Sequence, residues 1–283
     1  MYLCALTQLL TRQPGVLVTV QSVEGSGPRE VGAWMAVFAN DVVNTIGGGH
    51  LEFQAMAEAR AMLARVQPSP QSPATLPPTS LSAQDQSVLL RYALGPSLGQ
   101  CCGGVVHLKF EPITLHDMPR LQKRLHTTGR PVALFGGGHV GRALVQVLAR
   151  LPMQVHWIDS RDEIFPTDLP AHVQCEHSDP VQDSVADIAP GSAVLIMSFS
   201  HAEDLDVVAA CLKRQRKRGD LRFIGLIGTR TKWATFRHRL EERGFTPHEL
   251  AQVTCPIGVP GIEGKEPEVI AVAVAAQLLQ LPL

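Results

Sequence analysis

Phe135-Gly136-Gly137-Gly138-His139-Val140-Gly141 decides the fold. The stretch follows the apolar run Pro131–Phe135 and opens a helical pattern from Val140, so its glycines lie in a strand-to-helix turn. Gly136 permits the tight bend, Gly138 lets backbone approach a phosphate, and Gly141 lets the helix pack closely on the strand. The N–H groups at the helix start then offer an anion site. Asp159 follows Gly141 by 18 residues and closes the next strand, where it is placed to accept hydrogen bonds from ribose or other hydroxyls. A ligand-free turn would use the same glycines. His139 reads equally as a phosphate contact or as a plain loop histidine.

Outward from this turn, strands and helices alternate strictly. Strands are expected at Val155–Ile158, Val173–Cys175, Ala193–Met197 and Phe223–Ile227, with helices from Asp204 and Lys232 and an apolar helix over Glu268–Leu279. Such alternation predicts an α/β fold with a parallel, doubly wound sheet. The basic run over residues 213–218 falls at a helix C-terminus, where cations oppose the negative dipole end, and reads as a solvated helix end rather than a nucleic-acid patch.

Towards the N-terminus the rhythm differs. Leu3, Leu6, Leu9 and Leu10 recur at helical spacing, and a β-branched run over Val16–Val20 ends at Gly25-Ser26-Gly27-Pro28. A hairpin around Asn40-Asp41, a helix over Leu51–Val66 entered through Gly47-Gly48-Gly49, and strands at Ser87–Ala93 and Val105–Phe110 complete a smaller α+β domain. Residues 67–86 hold five prolines and no aromatic, too little to bury for regular structure, so they read as an insert in that domain. Domain boundaries are expected at 1–116 and 117–283. The first part contains six Lys/Arg and seven Asp/Glu, the second nineteen of each.

The 283 residues carry a formal net charge of -1, and 45% are hydrophobic, which gives ordinary globular proportions and no global field for nucleic acid or an anionic membrane. No run approaches the roughly 18 apolar residues of a membrane span, and residues 1–10 lack a basic signal-peptide region, so a cytoplasmic protein is expected. The six cysteines follow no CxxC spacing, which disfavours a zinc site or a disulfide framework. Cys4, Cys175 and Cys211 read as small buried hydrophobes. Cys101-Cys102, followed by Gly103-Gly104, place thiols in a glycine-flanked turn suited to binding a soft metal or carrying sulfur. Ser26 and Arg29, in Gly25-Ser26-Gly27-Pro28-Arg29, offer a hydroxyl and a guanidinium to an oxyanion or phosphate. Gly48 and Gly49 could do the same with backbone N–H groups, although a turn and a helix cap use the same residues. Gly228 closes a strand at the sheet edge where open α/β folds bind ligands.

These segments together resemble the xanthine dehydrogenase accessory protein family, XdhC/CoxI-like. The resemblance rests on GSGPREVGAWM from Gly25, TIGGGHLE from Thr45, QCCGG from Gln100, FGGGHVG from Phe135, WIDSR from Trp157, GLIGTRTK from Gly225 and CPIGVPGIEGKEPEVIAVAVAAQLL from Cys255. It implies a C-terminal Rossmann-like domain and a cysteine-bearing N-terminal domain, with Cys102 at the family's cysteine and a possible molybdenum contact. It further implies a protein that binds molybdenum cofactor (molybdopterin), shields its sulfurated form and hands it to an apo-xanthine dehydrogenase or related molybdenum hydroxylase, turning over no purine itself. A cysteine desulfurase is an implied partner and a homodimer the default assembly. Ser198-Phe199-Ser200-His201 stands where the family has a Thr-His-x-His-like stretch, so no role passes to a first histidine. Two alternatives stay open: an NAD(P)-dependent oxidoreductase using the glycine turn, and a sulfur-transfer scaffold. No Tyr-x-x-x-Lys pair supports the former, and the only tyrosines are Tyr2 and Tyr92.

Overall fold

The computed structural model describes residues 2–66, 87–95, 103–125 and 129–282. Cys101, Cys102 and the insert at 67–86 lie outside the described residues. The chain forms two compact units, 1–126 and 127–283.

In the first unit, α1 (Tyr2–Leu10) leads into β1 (Gly15–Glu24), β2 (Trp34–Val37) and β3 (Val42–Asn44). Then follow α2 (Gly49–Val66), β4 (Val88–Ala93), β5 (Val105–Ile113) and α3 (Met118–Leu125). The five strands form an antiparallel sheet in the order β3-β2-β1-β5-β4. Strand alternation explains how one sheet serves two cores. Val16, Val18, Val20, Met35 and Val37 face α2, whose Leu51, Ala55 and Ala59 recur every four residues along one helical face. Leu17, Trp34, Ala36 and Phe38 face the other way, onto Leu6 and Leu10 of α1 and Met118, Leu121 and Leu125 of α3.

The helix α3 lies past the expected boundary at 116, and the first unit extends to residue 126. Its apolar positions at i, i+3 and i+7 turn inward, and its basic positions hold it to the sheet. Arg124 donates to both oxygens of Glu111 on β5, at 3.0 and 2.7 Å, and Arg120 and Lys109 lie 3.4 Å from the same carboxylate. Burial pushes the Glu111 carboxyl up, but these cations outweigh it and hold the group below the usual glutamate value.

The second unit runs β6 (Arg130–Phe135), α4 (His139–Leu148), β7 (Met153–Asp159), β8 (Val173–His177), β9 (Ala193–Ile196), α5 (His201–Arg218) and β10 (Phe223–Leu226). It ends with α6 (Arg230–Glu242), α7 (Pro247–Leu250), β11 (Val253–Thr254) and α8 (Pro267–Gln280). All its strand pairs are parallel, in the order β11-β10-β9-β6-β7-β8. This is the α/β doubly wound sheet expected from the alternation, with β11 added at one edge. Strand order reverses between β6 and β9, so the loops leaving them open a crevice at the carboxyl edge of the sheet. Leu134, Trp157 and Leu195 pack under α4 and α8 on one face, while Phe135, Ile158 and Ile196 pack under α5 and α6 on the other.

The basic run of α5 is largely spent on the fold. Arg214, buried, forks onto Asp220 at 2.8 and 2.8 Å and donates to Val185 O at 2.7 Å, and Arg216 pairs with Glu249. Gly219 ends the helix in the left-handed conformation, as a C-cap glycine does.

Gly136 is the tightest point of the second unit. Its φ of 120° lies outside the range of L side chains, and a methyl group there would overlap Met197 O on the neighbouring loop. Gly136→Ala is therefore expected to cost about 3 kcal/mol or more of stability. Chemical denaturation of the full chain checks this, and an unchanged midpoint would contradict it.

Candidate functional site

Three glycine-bearing segments meet at one end of the N-terminal sheet. Glu24, the last residue of β1, pairs with Val105 at the start of β5, which puts the turn from Gly25 beside Gly104. A methyl group on Gly104 would overlap Ser26 O and lie 2.7 Å from Glu24 O, so only glycine allows this approach. Leu94 N donates to Gly104 O at 2.7 Å, joining the residues that flank the Cys101-Cys102 stretch in the chain. Gly47 abuts Pro28, with room for no side chain between them. Ser26, Arg29, Gly48 and Gly49 therefore belong to one surface region, and Cys102 is two residues along the chain from its edge.

Glu52, quoted in the TIGGGHLE motif but not expected to act, organises this region. Its Oε2 accepts from Thr45 Oγ1 at 2.5 Å, Ile46 N at 2.9 Å and Gly48 N at 3.1 Å. The N–H of Gly48 is thus occupied from within. The N–H groups of Gly49, His50 and Leu51, at the first turn of α2, have no acceptor among the described residues, and Gly49 and His50 are exposed. An anion is favoured there by the helix dipole. Arg29 forks onto Glu30 at 3.2 and 2.9 Å, and that contact pulls the Glu30 carboxyl down to about 2. Its side chain is 36% exposed, and its Nη1 has no partner among the described residues.

At the carboxyl edge of the parallel sheet, Gly138 has open space where a side chain would project, His139 is exposed, and Gly141 presses against Gly136 O. His139 is the first residue of α4 rather than a loop residue. Asp159 does something different from accepting a ligand hydroxyl. It is 1% exposed, and its Oδ1 accepts from Arg161 N at 2.9 Å and Arg161 Nε at 2.8 Å, while its Oδ2 accepts from Gly137 N at 2.5 Å and Arg161 Nη2 at 2.9 Å. Burial pushes this carboxyl up, but the Arg161 guanidinium and the two backbone N–H groups outweigh it, and the group sits below the ordinary aspartate value. The Arg161 guanidinium lies 4.4 Å from the centre of the Phe199 ring, which is 65% exposed.

Gly228, between β10 and α6, makes room for Lys232, whose Nζ donates to Asp204 Oδ2 at 2.6 Å and to Ile227 O at 2.9 Å. Asp204 in turn accepts from Ser198 N at 2.7 Å. This buried pair ties together the loops that leave β9 and β10. Cys255 lies beside it, and burial pushes its thiol up against the opposing pull of Lys232. Cys211 is buried and its thiol is pushed up to about 12, whereas Cys4 and Cys175, expected inside, are exposed. Among the described residues no group of three or more His, Cys, Asp or Glu could hold a metal, and no helix is long and apolar enough to cross a membrane.

Comparison with known proteins gives matches over most of the chain. Residues 132–278 match the model of the XdhC Rossmann domain, and residues 9–71 match that of the XdhC and CoxI family. YqeB of Escherichia coli (strain K12) is 25% identical over 272 residues, 95% of this chain; the chain spans 43% of that relative's length. A crystal structure of a xanthine dehydrogenase from Bacillus halodurans superposes with a TM-score of 0.73 at 20% identity, covering 99% of this chain and 96% of that one.

Two outcomes are expected from the internal carboxylates. Glu52→Ala orphans three donors and should cost about 1–3 kcal/mol, with Glu52→Gln, which keeps one acceptor oxygen, losing less; urea denaturation of the full chain reads both. Because the folded-state value of Asp159 is depressed below 3.8, its contribution is present above that pH and lost as pH falls through the folded value. Stability should therefore drop on acidification below about pH 4, and Asp159→Asn should flatten that part of the profile.

Proposed function

This chain belongs to the XdhC and CoxI family, and on that footing we propose that it is an accessory protein for a xanthine dehydrogenase or a related molybdenum hydroxylase. In this reading it binds molybdenum cofactor, protects the sulfurated form and delivers it to the apo-enzyme, with no purine turnover of its own. The observation that carries the reading is the convergence of the Gly25–Arg29 turn, the Gly47-Gly48 entry to α2 and Gly104 at one end of the N-terminal sheet, two residues along the chain from Cys102.

The residues of that region fit the cofactor's phosphate end. The N–H groups of Gly49 and His50 would hold a phosphate, with Arg29 beside them. The cofactor, when bound, supplies the oxidisable molybdenum–sulfur bond that the protein must shield. Cys102 supplies a soft ligand suited to molybdenum. Delivery requires that the complex also come apart, and a cradle already partly neutralised by Glu30 and Glu52 suits moderate rather than extreme affinity.

Cys102→Ala is expected to lower the molybdopterin retained after anaerobic loading by about tenfold or more with the fold intact, and Cys101→Ala to lower it less. Phosphate and molybdenum quantification on the desalted protein reads the result. Should wild type retain no cofactor while the partner enzyme matures normally without it, the proposed function fails.

A further inference from the structure

In the second unit, Asp159 occupies the position from which a dinucleotide-binding turn addresses ribose hydroxyls, at the end of the strand after the glycine turn. A carboxylate has about four lone-pair sites, two on each oxygen. All four are taken here. Each oxygen accepts one backbone N–H, from Arg161 at Oδ1 and from Gly137 at Oδ2. Each also accepts one guanidinium N–H, Nε at Oδ1 and Nη2 at Oδ2. The two sites that a vicinal diol would need are the two that the Arg161 side chain fills.

We propose that Arg161 is a specificity-determining residue that closes this glycine turn to adenine dinucleotides by withdrawing the Asp159 oxygens from a ligand's ribose diol. In place of that acceptor the protein presents a guanidinium 4.4 Å from the centre of the Phe199 ring. Entry of a diol would exchange two bonds from a charged guanidinium for two from neutral hydroxyls and leave the guanidinium without its carboxylate, at a net loss. A ligand at this edge is therefore one recognised without a ribose diol at Asp159. The inference stands on the second unit alone and holds or fails independently of the accessory role.

Isothermal titration of the full chain with ADP-ribose, and fluorescence titration with NADH, test it. Wild type is expected to show no saturable binding of either below about 1 mM. Arg161→Ala leaves both backbone N–H contacts in place and frees one site on each oxygen, so it should bind ADP-ribose at least about tenfold more tightly than wild type, and the double variant R161A/D159N should lose that gain. If Arg161→Ala fails to fold, Arg161→Met, which keeps an aliphatic stem over Phe199 and donates nothing, carries the same comparison. Micromolar binding of NADH or ADP-ribose by wild type, or a folded Arg161 variant that gains nothing, overturns the proposal.

Discussion

Each unit holds its glycine turn in shape with a carboxylate of its own. Glycine turns expose backbone N–H groups that a side chain would otherwise shield, and buried or half-buried donors left unpaired cost about as much as a lost hydrogen bond. Glu52 meets that need in the first unit, where one oxygen gathers Thr45, Ile46 and Gly48. Asp159 meets it in the second through Gly137, with Arg161 balancing the charge. The turns are thereby hydrogen-bonded in place without a ligand, which would suit the cradle proposed above.

The same carboxylates divide the donors into structural and available ones. Ile46, Gly48 and Gly137 are committed inward, while Gly49, His50 and Leu51 at the start of α2 have no acceptor among the described residues. In the proposed function an anion would therefore meet the N–H groups that follow Gly48 rather than that of Gly48 itself. The internal negative charge also weakens the attraction for a phosphate, and this tempers affinity in a protein proposed to release what it binds.

Much of this was legible in the sequence, and the exceptions have physical causes. The alternation after Arg130 specified the parallel sheet because buried parallel strands read as continuous apolar runs, as in Val132–Phe135 and Ala193–Ile196. In α3 the apolar residues are only three in eight, among four polar side chains, too short a window for its period to stand out, and its anchoring depends on Glu111, a contact distant along the chain. The crowding at Gly136 and Gly141 follows from the strand-to-helix turn between them, whose chemistry is local. Asp159 was located correctly but not its saturation, which depends on how Arg161 folds back two residues later; the WIDSR stretch held both residues, though spacing alone does not say which partner a carboxylate takes. Glu52 was hidden similarly, since a glutamate in the first turn of a helix ordinarily reads as a dipole complement.

Amide-resolved NMR titration of the full-length protein with sulfurated molybdenum cofactor, under anaerobic conditions, addresses the division of donors most directly. The account predicts that the amide resonances of Gly49, His50 and Leu51 move with cofactor while those of Ile46, Gly48 and Gly137 stay in place. Movement of Ile46, Gly48 and Gly137, with the first turn of α2 unaffected, would show that the cofactor displaces the internal carboxylates and would contradict it.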